Sequence, residues 1–91
     1  MTLKNLSAAK GDSKGEINLQ WDSVGKADSY IIEIAKTGDF KDINWKILDI
    51  ISDSRYTVRN LRSNTEYFFR VAFVYGNGRK EQSRRIVKKA P

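Results

Sequence analysis

Leu61-Arg62-Ser63-Asn64-Thr65-Glu66-Tyr67-Phe68-Phe69-Arg70-Val71-Ala72-Phe73-Val74 reads as a corner that closes one strand and opens the next. Leu61 and Tyr67 pin the two sides of that corner. In antiparallel sandwiches a tyrosine at the start of such a strand sends its hydroxyl back to backbone a few residues upstream. From Tyr67 onward the apolar residues alternate. Tyr67, Phe69, Val71 and Phe73 share one phase, expected to face inward, and Phe68, Arg70, Ala72 and Val74 the other, expected to face out.

The same period of two runs through the rest of the chain. Leu3 to Ala9 forms a candidate first strand, closed by the flexible polar loop Gly11-Asp12-Ser13-Lys14-Gly15. Ile17, Leu19 and Trp21 alternate with Glu16, Asn18 and Gln20 in a second strand with one buried face. Tyr30, Ile32 and Ile34 alternate with Ile31, Glu33 and Ala35 in a third, and Trp45 to Ile51 gives a fourth. Ser52-Asp53-Ser54 turns the chain into Tyr56 and Val58. Asn77-Gly78 predicts a two-residue hairpin with positive φ at both positions, joined to a last strand around Gln82 to Lys88. Short alternating segments separated by turn residues predict an all-β, seven-stranded antiparallel two-sheet sandwich. Its expected core is Leu6, Ile17, Leu19, Trp21, Tyr30, Ile32, Ile34, Tyr56, Val58, Leu61, Tyr67, Phe69, Val71 and Phe73.

In order and spacing, Trp21, Tyr30-x-Ile32, Trp45, Tyr56-x-Val58, Leu61 and Tyr67 resemble the fibronectin type III family across essentially the whole chain. The resemblance implies an immunoglobulin-like Greek-key sandwich and a module of a larger protein. Two departures stand out. Ser63-Asn64 replaces the Pro-Gly pair that many members carry at the corner, though asparagine also tolerates the left-handed conformation. A proline near the N-terminus is missing. The loop Gly76-Asn77-Gly78-Arg79-Lys80 lacks the Arg-Gly-Asp tripeptide of some members, so an integrin-type role is not implied.

Composition bounds the chemistry. The 91 residues suit one domain, residues 1–91. With no cysteine and no histidine, the chain has no thiol nucleophile, disulfide framework or imidazole base. Two acidic pairs remain, Asp39 with Asp42 and Asp49 with Asp53. Loop aspartates far more often bond local backbone amides than work in a cleft. The alternating Asp-rich loop of calcium sites is missing, so no enzyme activity, metal or cofactor is expected. No apolar run approaches the roughly 20 residues needed to span a bilayer, and Met1-Thr2-Leu3-Lys4 has no signal-peptide core. The expectation is a module of a longer extracellular or cell-surface chain, monomeric in isolation, with a cytoplasmic setting left open. Lys89-Ala90-Pro91 reads as an intermodule linker. Asn5-Leu6-Ser7 matches a glycosylation sequon that matters only in a eukaryotic secretory route.

Two surfaces are candidates for binding. The net charge is +6, and residues 79–91 carry Arg79, Lys80, Arg84, Arg85, Lys88 and Lys89 against Glu81 alone, a net of +5. These cations could track a polyanion, or they could protect an exposed sheet edge from pairing with another chain. Nucleic acid is disfavoured because stacking aromatics and known motifs are missing around them. A second candidate is an aromatic contact surface of Phe40, Trp45, Phe68 and Tyr75, with Arg70 expected to stack on Phe68. Trp21, in phase with Ile17 and Leu19, is expected in the core. The function expected is a spacer or protein-interaction unit, its partner another protein or a neighbouring domain. An accessory module of a polysaccharide-degrading enzyme and a weak polyanion binder are the alternatives.

Overall fold

A computed structural model describes residues 5–25, 27–36 and 45–91. The described residues form eight strands and no helix: β1 (Ser7–Lys10), β2 (Ile17–Gln20), β3 (Ala27–Ala35), β4 (Lys46–Ile51), β5 (Arg55–Val58), β6 (Glu66–Tyr75), β7 (Lys80–Gln82) and β8 (Ile86–Lys89). A three-stranded sheet has the order β1-β2-β5. The larger sheet runs β4-β3-β6-β7, with β8 also paired to β6, and all pairings are antiparallel.

Eight strands replace seven because the last predicted strand is broken. Ala72 lies opposite Gln82, but Phe69 lies opposite Ile86, so one extra residue is inserted between β7 and β8. Ser83 bridges the break. Its N–H donates to the Val71 carbonyl at 2.7 Å, and its Oγ accepts the Val71 N–H at 2.9 Å. Arg84 and Arg85 leave the ladder beside it, the local disruption expected of a bulge.

The two sheets close over Ile17, Leu19, Trp21, Tyr30, Ile32, Val58, Tyr67, Phe69, Val71 and Phe73, all buried. Each fully buried side chain of this size contributes about 1.5–3 kcal/mol relative to exposure. Leu6, Ile34, Tyr56 and Leu61 are only partly buried and pack against this cluster rather than within it. Trp21 follows the end of β2 and meets Tyr30 edge-on, ring centroids 5.4 Å apart.

The corner forms as the sequence predicts. The Arg62 N–H donates to the Tyr67 hydroxyl at 3.0 Å, and Asn64 takes φ 61. Three other expectations need correction. The loop between β1 and β2 is packed, with both glycines buried and Gly11 N–H bonded to the Glu16 carbonyl at 2.9 Å. Ala90 is buried, its N–H donating to the Thr65 carbonyl and its own carbonyl accepting from Asn64, each at 2.9 Å. Lys89 therefore ends β8, Ala90 is docked on the corner and the Pro91 carbonyl is held by Gly15 N–H, so these residues are part of the packed fold. At the β6–β7 hairpin, Tyr75 N–H donates to the Arg79 carbonyl, and the Tyr75 carbonyl accepts the Gly78 N–H. Only Gly78 has positive φ, 86°, so the loop has three residues with a glycine bulge instead of two in a primed turn.

Candidate interaction surface

Because directly opposed residues in an antiparallel pair project to the same side, the register assigns each paired side chain of the larger sheet to a face. Across the outward face one row reads Ile50, Ile31, Ala72, Gln82. The next reads Ile47, Glu33, Arg70, and the next Ala35, Phe68, Val87. A register shift in β4 lets Ile47 and Ile50, three apart in sequence, stand on one side.

Glu33 and Arg70 hold the centre. The Arg70 Nε and Nη2 donate to the two Glu33 carboxylate oxygens, both at 3.2 Å. This forked geometry fixes direction as well as charge. The Arg70 guanidinium also lies 4.4 Å from the centroid of the Trp45 ring. Arg70 thus stacks on Trp45, where the sequence suggested stacking on Phe68. Only 6% of the Glu33 side chain and 13% of the Arg70 side chain are exposed, so the pair is held rigid on what the alternation had marked as a solvent face.

The structure divides the aromatic candidates. Trp45 and Phe68 lie on this outward face, Trp45 buried beneath Arg70 and Phe68 half-buried. Tyr75 has the inward phase of β6 and packs edge-on to Phe73 at 5.4 Å. Phe40 lies outside the described residues, as do Asp39 and Asp42. Asp49 stands within β4 and accepts the N–H of Ile50 at 2.8 Å, a local backbone bond. Burial first, then the charge of Asp49 and a hydrogen bond to it, raises the Tyr56 hydroxyl above its ordinary pKa.

The cations are also divided. Lys80 lies opposite Val74 and Lys89 opposite Glu66, on the outward phase, whereas Lys88 lies opposite Tyr67 on the inward one. Arg79 approaches Glu81 at 3.3 Å, and Arg84 and Arg85 stand exposed in the break. Sequence reasoning missed the aliphatic residues. The exposed large hydrophobics among the described residues are Ile47 (58%), Leu48 (38%), Ile50 (59%) and Val87 (50%), all on the two borders of this one sheet.

The comparisons agree with this architecture. The family model described as fibronectin type III domain matches residues 2–89. A crystal structure of a Fn3-like protein from Clostridium thermocellum superposes with a TM-score of 0.84 at 22% identity, covering 100% of this chain and 93% of that one. The sixth fibronectin type III domain of human fibronectin type III domain containing protein 3 gives 0.80 at 18% identity, covering 100% and 85%. Pectate lyase PelI from Erwinia chrysanthemi, solved in complex with tetragalacturonic acid, gives 0.82 at 12% identity, covering 97% of this chain but 28% of the lyase. No match was found among curated proteins. The strand order, the tyrosine corner and the family match over nearly the whole sequence lead to one assignment: the chain belongs to the fibronectin type III family.

Proposed function

We propose that the chain is a non-catalytic module that spaces domains and engages a protein partner within a longer, exported protein. The observation that carries this reading is the placement of its two ends. Strand β2 begins close to Gly15, whose N–H donates to the Pro91 carbonyl at 3.0 Å, and it ends at Gln20, shortly before Asp22, which accepts the side-chain N–H of Asn5 at 2.8 Å. Among the described residues the chain therefore starts beside one end of β2 and finishes beside the other. Modules joined through such ends extend in line. The test is a chain of two tandem copies studied by small-angle scattering. The maximum dimension should grow by about one module length; a folded-back pair with little growth would refute the spacer reading.

A second reading has specific support. The similarity to pectate lyase PelI falls on about a quarter of that enzyme's length, the share expected where a module accompanies a catalytic part. On this reading the chain is an accessory module of a polysaccharide-degrading enzyme. Finding a catalytic domain on the same polypeptide would favour it, and tandem modules alone would favour the spacer.

A further inference from the structure

We infer that the outward face of the β4-β3-β6-β7 sheet is a docking surface for an acidic polypeptide, one that presents aliphatic side chains to Ile47, Ile50 and Val87 and carboxylates to the cations along β7 and β8. This rests on the reading of the module as a protein-interaction unit and names the face that does the work.

The apolar part of the argument is the concentration of exposed aliphatics. Of the four exposed large hydrophobics, Ile47 and Ile50 on β4 and Val87 on β8 stand on the outward phase, and Leu48 is the unpaired residue of the β4 register shift. These strands border the same face, about 14 Å apart across three strand spacings. Single exposed hydrophobics are ordinary, but a set gathered on one face marks an interface. Between them Arg70 lies over the buried Trp45 ring with 13% of its side chain exposed, and arginine is among the residue types enriched where binding energy concentrates. Arg70 is already fixed by Glu33 and by the indole, so docking need not freeze a long side chain, which lowers the entropic cost.

Charge selects the occupant. On the outward phase of the β7–β8 border stand Lys80 and Lys89, with Arg84 exposed in the break between them. The Glu33 carboxylate is engaged by Arg70, leaving Glu66, opposite Lys89, as the acid on the described outer phase of β6. The complement is an acidic surface. A second copy would set a net +6 against a net +6, which disfavours self-association. A glycan or nucleic acid would use the cations but offer nothing aliphatic to Ile47 and Ile50. A bilayer would have to cover the Glu33–Arg70 pair with hydrocarbon, at high desolvation cost; a protein surface can meet that pair with polar groups.

The test uses the whole chain, isotope-labelled, titrated with a capped peptide of alternating glutamate and leucine over eight residues and with its glutamine–leucine counterpart. Shift changes should gather on the methyls of Ile31, Ile47, Ile50 and Val87, and the glutamine peptide should bind at least tenfold more weakly. The double variant Ile47→Thr, Ile50→Thr should lose at least tenfold in affinity while its thermal midpoint stays near that of the parent. The variant Lys80→Glu, Arg84→Glu should lose the preference for the acidic peptide. Peptide binding mapped to another surface would overturn this assignment and leave the interaction reading standing. Failure of both peptides to bind would overturn the assignment together with that reading, with only the spacer surviving. Concentration-dependent dimerisation through the face would overturn it, as would tighter binding there of heparin or of vesicles of equal phosphatidylserine and phosphatidylcholine.

Discussion

The carbonyl of Gly15 accepts the N–H of Leu61 at 3.0 Å, which seats the β1–β2 loop directly against the corner that precedes β6. A Cβ added at Gly15 would lie 2.5 Å from the Leu61 carbonyl oxygen, and the residue has φ +75. Both the contact and the backbone conformation oppose any side chain. Gly15→Ala should therefore cost about 2 kcal/mol or more, the left-handed conformation alone costing an alanine about 1–2 kcal/mol. For a domain of this size that lowers the thermal midpoint by roughly 8 °C or more. Gly25→Ala, where a Cβ meets nothing within 4 Å, is the control and should change little. Equal midpoints for the two variants would show that the loop is not packed as described.

On the other side of the corner, Tyr67→Phe removes only the hydroxyl that accepts the Arg62 N–H. A partly buried donor is left without its partner, so the loss should be about 1–3 kcal/mol. Urea denaturation reads it as a lower midpoint at unchanged slope. No shift would mean that water replaces the hydroxyl at no cost.

The Glu33–Arg70 pair gives a sharper test, since removing one partner strands a nearly buried charge. Glu33→Ala should cost about 3–5 kcal/mol, as for other buried pairs broken on one side. Adding Arg70→Ala should then cost less than the two single changes combined. A double-mutant cycle measures that coupling. Additive single effects would mean that the two side chains do not couple.

Alkaline pH probes Tyr56. Burial, then the neighbouring Asp49, raises its pKa in the fold above the ordinary 10.0, so the folded state holds the phenol proton more tightly than the unfolded chain. That stabilisation is complete below pH 10 and is lost as the pH rises through the raised folded value. The stability difference between the parent and Tyr56→Phe, read by urea denaturation, should therefore shrink as the pH rises past 10. A constant difference would place the phenol in open solvent.

Inward residues were legible in the sequence because one rule governs them: a strand buried on one face alternates, and slipping by one residue would expose the whole set. Ile17, Leu19, Trp21 and the odd-numbered residues of β6 obey it. The candidate surface was harder to read because each of its features breaks that rule. Ile47 and Ile50 share a face only through the register shift in β4. Glu33 and Arg70 hold the polar phase of their strands, yet bury each other by pairing across β3 and β6. The break at Ser83 depends on a hydroxyl standing in for a ladder partner, which no composition or spacing marks. Asn77-Gly78 did signal a turn, but the hairpin's length was set by the two closing bonds of Tyr75, its N–H to the Arg79 carbonyl and its carbonyl from Gly78 N–H.

Polyanion binding through the C-terminal cations is decided by its salt dependence. Each phosphate neutralised on duplex DNA contributes about −0.9 to the slope of log affinity against log salt, so six acting together would give roughly −5. The structure does not present six together. Lys88 has the inward phase while Lys80 and Lys89 have the outward one, and Arg79 already faces Glu81. Two or three contacts at most should form at once, giving a slope of roughly −2 to −3 and affinity that vanishes near physiological salt. Titrating a short DNA duplex at several salt concentrations measures the slope. Lys88→Glu should leave it unchanged, whereas Arg84→Glu with Lys89→Glu should flatten it. A slope near −5, with sub-micromolar binding that persists at physiological salt and falls on Lys88→Glu, would mean that the cations act as one surface and that β8 is a binding strand.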